Sequence, residues 1–140
     1  MICSGKCKAD VIIVLDTSLS VGWSNSYHIR SFLSNLTDHV INNLDLGSGR
    51  IPLGLLMYST GVYPLFNLSQ FTTAAQIQAE IASSTFSRGA TNTAAAFANV
   101  RENMLTSLAG ARDDVPKVVL VLYDGKSSNP YAAEVRSCAL

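Results

Sequence analysis

The sequence predicts an α/β fold, doubly wound, with a mainly parallel sheet and an antiparallel hairpin strand at one edge. Three observations lead there. Two apolar runs, Val11–Leu15 and Val118–Leu122, are too short for helices and read as strands, the first of them buried on both faces. Between them lie stretches with apolar residues at three- and four-residue spacing, the mark of amphipathic helices. One connection, Ser59-Thr60-Gly61, is too short for a crossover, so the strands it joins pair antiparallel.

The chain in order supports this. Residues 1–8 form a flank, and 9–140 form one domain, large enough for a core. After the first strand, Ser24 or Asn25 can cap a helix whose apolar positions are Ile29, Phe32, Leu33, Leu36, Val40, Ile41 and Leu44. Gly47-Ser48-Gly49 stops it. Ile51–Tyr58 and Val62–Leu68 are the hairpin strands, and Pro64 suits an edge, where a missing amide hydrogen is tolerated. Thr72 or Thr73 caps a short helix through Ile81. Residues 83–92 are a loop. An alanine-rich helix follows from Thr93 to about Leu108, its small faces suited to close packing on the sheet. Residues 109–114 read as a surface loop, Pro116 precedes the fourth strand, and Tyr131–Ala139 is a last helix.

Composition excludes several function classes. Hydrophobic residues make up 48% and charged residues 14%, which argues against disorder. Ten basic and ten acidic residues balance, where a nucleic-acid surface needs a basic excess. No apolar stretch approaches the ~18 residues of a membrane span, so no membrane insertion is expected. No apolar h-region follows Met1-Ile2-Cys3, so the sequence as it stands opens without a secretory signal.

Chemistry concentrates after the first strand. Asp16, Ser18 and Ser20 alternate, so a tight turn lets one carboxylate and two hydroxyls converge. These are hard oxygen ligands of the kind Mg²⁺, Mn²⁺ or Ca²⁺ prefer. Open α/β sheets place their sites at carboxyl strand ends. A single carboxylate holds a divalent cation poorly, so more ligands are expected from neighbouring strand ends. The fourth strand runs into Tyr123-Asp124-Gly125, and Arg88-Gly89-Ala90-Thr91-Asn92-Thr93 is a polar turn leading into a helix. Asp16, Ser18, Ser20, Thr91 and Asp124 then form an all-oxygen constellation with two formal negative charges. His28 and His39 have no metal-binding partner at a compact spacing and read as surface positions.

In these residues the chain resembles a von Willebrand factor A domain, the family that includes integrin inserted domains, matrilins and collagen VI modules. The family's metal-ion-dependent adhesion site consists of Asp-x-Ser-x-Ser, a distant Thr, and an Asp in an apolar-x-Asp-Gly turn. Here these match Asp16, Ser18 and Ser20, then Thr91, then Asp124. Ser20-Val21-Gly22 with Asn25, Phe32 and Leu33 resembles the family's first helix start, and Leu55-Leu56-Met57-Tyr58-Ser59 its second strand. Gly89-Ala90-Thr91-Asn92-Thr93 is close to the usual Gly-Gly-Thr-x-Thr, and Tyr123 stands where a smaller Thr is common.

The resemblance implies a strand order with the hairpin strand at one edge, then the second, first and fourth strands. It implies a non-enzymatic, extracellular adhesion module that binds Mg²⁺ (or Mn²⁺ or Ca²⁺) and, through it, an acidic residue of a protein partner such as collagen or another matrix protein. Family members continue past the fourth strand with two further strands and helices, so the sequence reads as a domain incomplete at its C-terminus. The fourth strand is then an edge open to self-association. Two other readings compete. One is a Mg²⁺-dependent phosphohydrolase of the haloacid dehalogenase type, which needs a second Asp where this chain has Ser18. The other is a truncated fragment without function.

Two sequons, Asn35-Leu36-Thr37 and Asn67-Leu68-Ser69, agree with an extracellular location as glycosylation candidates. Of the three cysteines, Cys7 just precedes the first strand, and the last helix is expected to run back across the sheet toward that end. A Cys7–Cys138 disulfide is therefore expected, with Cys3 as the alternative partner.

Overall fold

A computed structural model of the chain describes residues 8–21, 23–44 and 51–123. The apolar run after Ala9 forms β1 (Asp10–Asp16), in which every residue but Val11 is buried. β1 pairs in parallel with β2 (Leu53–Tyr58) on one side and with β4 (Lys117–Leu122) on the other. β2 carries β3 (Val62–Phe66) antiparallel, giving the order β3-β2-β1-β4 that the resemblance implies. Pro64 sits on the outermost strand, as expected, next to a register shift at Leu55/Leu56. Among the described residues β4 is the other edge, with Val118 46% exposed.

Alternation along β1 sends side chains to two cores. Ile13 and Leu15 pack with Leu33 of α1 (Ser26–Leu44) and with Ile77 and Ile81 of α2 (Ala74–Ser83). Ile12 and Val14 pack on the opposite face with Ala96 of α3 (Thr93–Asn99) and with Val100 and Met104. Helices thus cover both faces, which is why the central strands read as unbroken apolar runs.

Local chemistry sets the helix boundaries, not always where the sequence pattern put them. A 3₁₀ turn at Trp23–Asn25 precedes α1. Asn25, the last residue of that turn, stands directly before α1, and its side-chain amide donates to the Val21 carbonyl at 2.6 Å. On α1 Leu33 and Val40 are buried, but Phe32 is 49% exposed. The buried place between Leu33 and Val40 goes to Thr37, whose hydroxyl donates to the Leu33 carbonyl at 2.8 Å and so enters the core satisfied. Thr73 caps α2, accepting from the Gln76 amide. The alanine-rich helix does not run unbroken to Leu108. It widens into a π turn at Val100–Met104, and a separate 3₁₀ turn follows at Ser107–Ala109. There the Thr106 hydroxyl accepts from the Ala109 amide, a local bond that competes with helix continuation.

The loop before β4 also differs from expectation. Arg112 turns inward to Asp10, which has no exposed surface. Its Nη2 lies 2.8 Å from Asp10 Oδ1, and its backbone amide donates to Oδ2 at 2.8 Å. Lys117 Nζ approaches Oδ2 at 3.3 Å. The cluster ties the start of β1 to the segment that feeds β4. The last helix, the Gly47–Gly49 stop, Asp124 and all three cysteines, with the expected Cys7–Cys138 bridge, lie outside the described residues.

The cluster makes a test of stability. Arg112→Met keeps most of the packing but leaves the buried carboxylate with Lys117 as its remaining cation. Breaking a buried pair costs about 3–5 kcal/mol; because Lys117 remains, a loss of about 3 kcal/mol is expected, read as a lower urea midpoint. An unchanged midpoint would contradict the role given to this pair.

Candidate metal centre

The parallel pairing places the carboxyl end of β1 between those of β2 and β4. Asp16, the last residue of β1, lies opposite Tyr58 and is fully buried. Its Oδ1 accepts from the Ser18 amide at 2.7 Å, a local bond that folds the chain back after the strand. That turn brings the Ser18 and Ser20 hydroxyls to 3.0 Å of each other. Ser18 is buried and Ser20 exposed, so the oxygens lead from the interior to the surface.

The second segment is laced to the first through the end of β2. The Leu19 amide donates to the Gly89 carbonyl at 3.0 Å, and the Asn92 amide to the Ser59 carbonyl at 2.8 Å. Thr17 donates both its amide and its hydroxyl to the Tyr58 carbonyl, at 2.8 and 3.0 Å. Ser87 bridges Thr17 and Ser59, its hydroxyl 3.4 Å from one and 2.9 Å from the other. Thr91, buried, stands in the middle of the laced turn. Asn92 then caps α3 by accepting from the Ala95 amide, which fixes the direction in which the chain leaves. Gly89 is required by space: a Cβ there would lie 2.3 Å from Thr60 Oγ1, which already accepts from the Ala90 amide.

Asp16, Ser18 and Ser20 are therefore brought together, and Thr91 is carried by a turn bonded to the same loop. Asp124 lies outside the described residues, although the Leu15–Leu122 register brings β4 level with β1 two positions before it. His28 and His39 are exposed. Sequence reasoning did not find Thr17, Ser59 and Ser87, which hold the two loops. Their signal was weak: single hydroxyl residues directly beyond, or far from, a buried strand.

Two buried aspartates terminate β1, and their environments differ. Asp10 is met by Arg112 and Lys117. Asp16 Oδ2 is buried without a hydrogen-bond partner, and among the described residues no cation pairs with Asp16. A buried charge without a partner is costly, so an orphaned carboxylate oxygen beside converging hydroxyls fits a bound cation. Among the described residues there is no cluster of three His, Cys, Asp or Glu, so the donors on offer are hard oxygens. Asp16 and Ser20 also form part of the wall of a cleft of about 500 Å³ between α1 and the end of β4, lined further by Ile29, Phe32 and Tyr123.

A mainly parallel sheet in the order β3-β2-β1-β4 with helices on both faces defines the fold class as Rossmann-like. The chain belongs to the von Willebrand factor type A domain family, whose model matches residues 10–139. The collagen alpha-4(VI) chain of Mus musculus is 34% identical over 129 residues, spanning 91% of this chain and 5% of that protein. Matrilin-1 of Homo sapiens is 30% identical over 131 residues, spanning 91% of this chain and 26% of its own length. Among solved structures, proximal thread matrix protein 1 from the mussel byssus superimposes with a TM-score of 0.85 at 26% identity, covering 96% of this chain and 35% of that one. Another structure of that protein, described as having a zinc-occupied MIDAS motif, has a TM-score of 0.81 at 24% identity, covering 96% and 36%. The chain thus spans a small part of the relatives it matches.

Gly89 tests the construction of the site from outside its ligand set. Gly89→Ala must either turn the Thr60 hydroxyl off the Ala90 amide or push the Thr91 turn away from Thr60. Misplacing groups that orient ligands commonly costs 10–100-fold in metal affinity. A loss of about tenfold is expected by calorimetric titration with Mn²⁺, with the far-ultraviolet circular dichroism unchanged; equal affinity would show that the turn does not set the site.

Proposed function

We propose that this chain is a metal-dependent adhesion module that captures an acidic side chain of an extracellular matrix protein. The observation that carries the reading is the buried, unpartnered Oδ2 of Asp16 beside the paired hydroxyls of Ser18 and Ser20. Asp16 and Asp124 would supply the negative charge, and Ser18, Ser20 and Thr91 the neutral oxygens. A bound Mg²⁺, Mn²⁺ or Ca²⁺ would supply positive charge and a position open to a partner's carboxylate. The matrix relatives and the zinc-occupied neighbour support this reading.

The chain's own groups prepare that step. Burial of Asp16 keeps competing water from its free oxygen. The hydroxyls carry no charge, so with Asp124 bound through water and Asp16 as the one direct carboxylate, the ion would keep positive charge to attract an anionic partner. Ser18 stands where a haloacid-dehalogenase-type phosphohydrolase needs its acid–base carboxylate, which favours binding over catalysis. The partner is a protein, with collagen or another matrix component as the class that the relatives suggest.

Two measurements test this. Millimolar Mg²⁺ or Mn²⁺ is expected to raise the melting temperature, since a ligand specific to the native state at 100 times its Kd stabilises by about 2.7 kcal/mol. Asp16→Ala should abolish the shift, and a flat wild-type response would refute cation binding. Capture of an acidic matrix ligand is expected to be lost in EDTA; capture that survives would place the interface elsewhere.

A further inference from the structure

The two sequons occupy opposite structural situations, and we infer that Asn67 is an N-glycosylation site while Asn35 is not. Asn67 follows the last residue of β3 and is partly exposed. Its Oδ1 accepts both the Ser69 amide and the Ser69 hydroxyl, each at 3.1 Å. The backbone turns at the same point, with the Gln70 amide donating to the Asn67 carbonyl at 3.3 Å. Among the described residues no hydrogen bond holds Asn67 Nδ2.

This arrangement suits glycan transfer. The reaction joins asparagine Nδ2 to C1 of a sugar and breaks the bond between that carbon and the pyrophosphate of a lipid-linked oligosaccharide. The lipid pyrophosphate leaves, and one Nδ2 proton passes to a base of the transferase. An amide nitrogen is a poor nucleophile because its lone pair is shared with the carbonyl. Two donors on Oδ1 stabilise the charge that gathers there as Nδ2 gives up its proton. All of these contacts lie within residues 67–70 and are local in sequence.

Asn35 has none of this. It lies in the middle of α1, where residues two apart point in different directions. Thr37, the hydroxyl residue of its sequon, is 1% exposed and donates to the Leu33 carbonyl instead. Its hydroxyl belongs to the core and is withheld from Asn35.

The position of Asn67 also suits the proposed function. β3 runs antiparallel to β2, so Asn67 lies beyond the end of the sheet opposite Asp16. A Cβ on Gly110 would approach Ser69 to 2.8 Å, so Gly110 lies close against this turn. A glycan there leaves the cation face open. The inference rests on the extracellular reading and is independent of metal binding, so the two can fail separately.

The test directs the chain into the secretory route of a eukaryotic cell with an added leader. Peptides of both the secreted and the retained protein are mapped by mass spectrometry before and after peptide N-glycosidase. Asn67 should carry a glycan in most molecules and Asn35 in few or none. Asn67→Gln and Ser69→Ala should each remove the glycan; Ser69→Thr should keep it, and Asn35→Gln should leave the mass shift unchanged. A bare Asn67, or equal occupancy of the two sites in wild-type protein, would overturn the inference.

Discussion

A carboxylate buried with one oxygen unpartnered is the constraint on which the site depends. Asp16 is there because β1 lies between two parallel neighbours and under helices on both faces, so its last residue is carried out of reach of water. The Ser18 amide satisfies one oxygen. The chain offers the other nothing among the described residues, in contrast with Asp10 at the opposite end of the same strand. In the proposed function a bound cation would meet the cost of such a group, and the stability of the loop would then follow occupancy of the site.

The loops are held by backbone-directed bonds around the end of β2 rather than by ligand-to-ligand contacts. Thr17, Ser59 and Ser87 form a small hydroxyl network below the ligands, and the Leu19–Gly89 and Asn92–Ser59 bonds close it. Support of this kind fixes the backbone that carries Ser18, Ser20 and Thr91.

Much of the fold was legible in the sequence because strongly patterned segments leave few alternatives. The apolar runs at Val11–Leu15 and Val118–Leu122, the short Ser59–Gly61 connection and Pro64 each pointed to one structural role, and each holds. The boundaries were less legible, for local reasons. A 3₁₀ turn at Trp23–Asn25 stands before α1, and Thr106 starts a new turn by capping Ala109. Phe32 and Thr37 exchange the burial that apolar spacing suggested, since a hydroxyl bonded to the preceding turn is tolerated inside. The inward turn of Arg112 was hidden because its partner, Asp10, lies 102 residues away in sequence. Within the site, Asp16, Ser18 and Ser20 could be read from their alternation. The hydroxyls that brace them could not, since isolated Ser and Thr residues are common and carry no spacing signal.

The most direct measurement is the anomalous difference density of a crystal of this protein soaked in Mn²⁺. The account predicts one strong peak within coordination distance of Asp16 Oδ2 and the Ser18 and Ser20 hydroxyls. No peak there, with Asp16 Oδ2 instead bonded to a group of the protein itself, would contradict it.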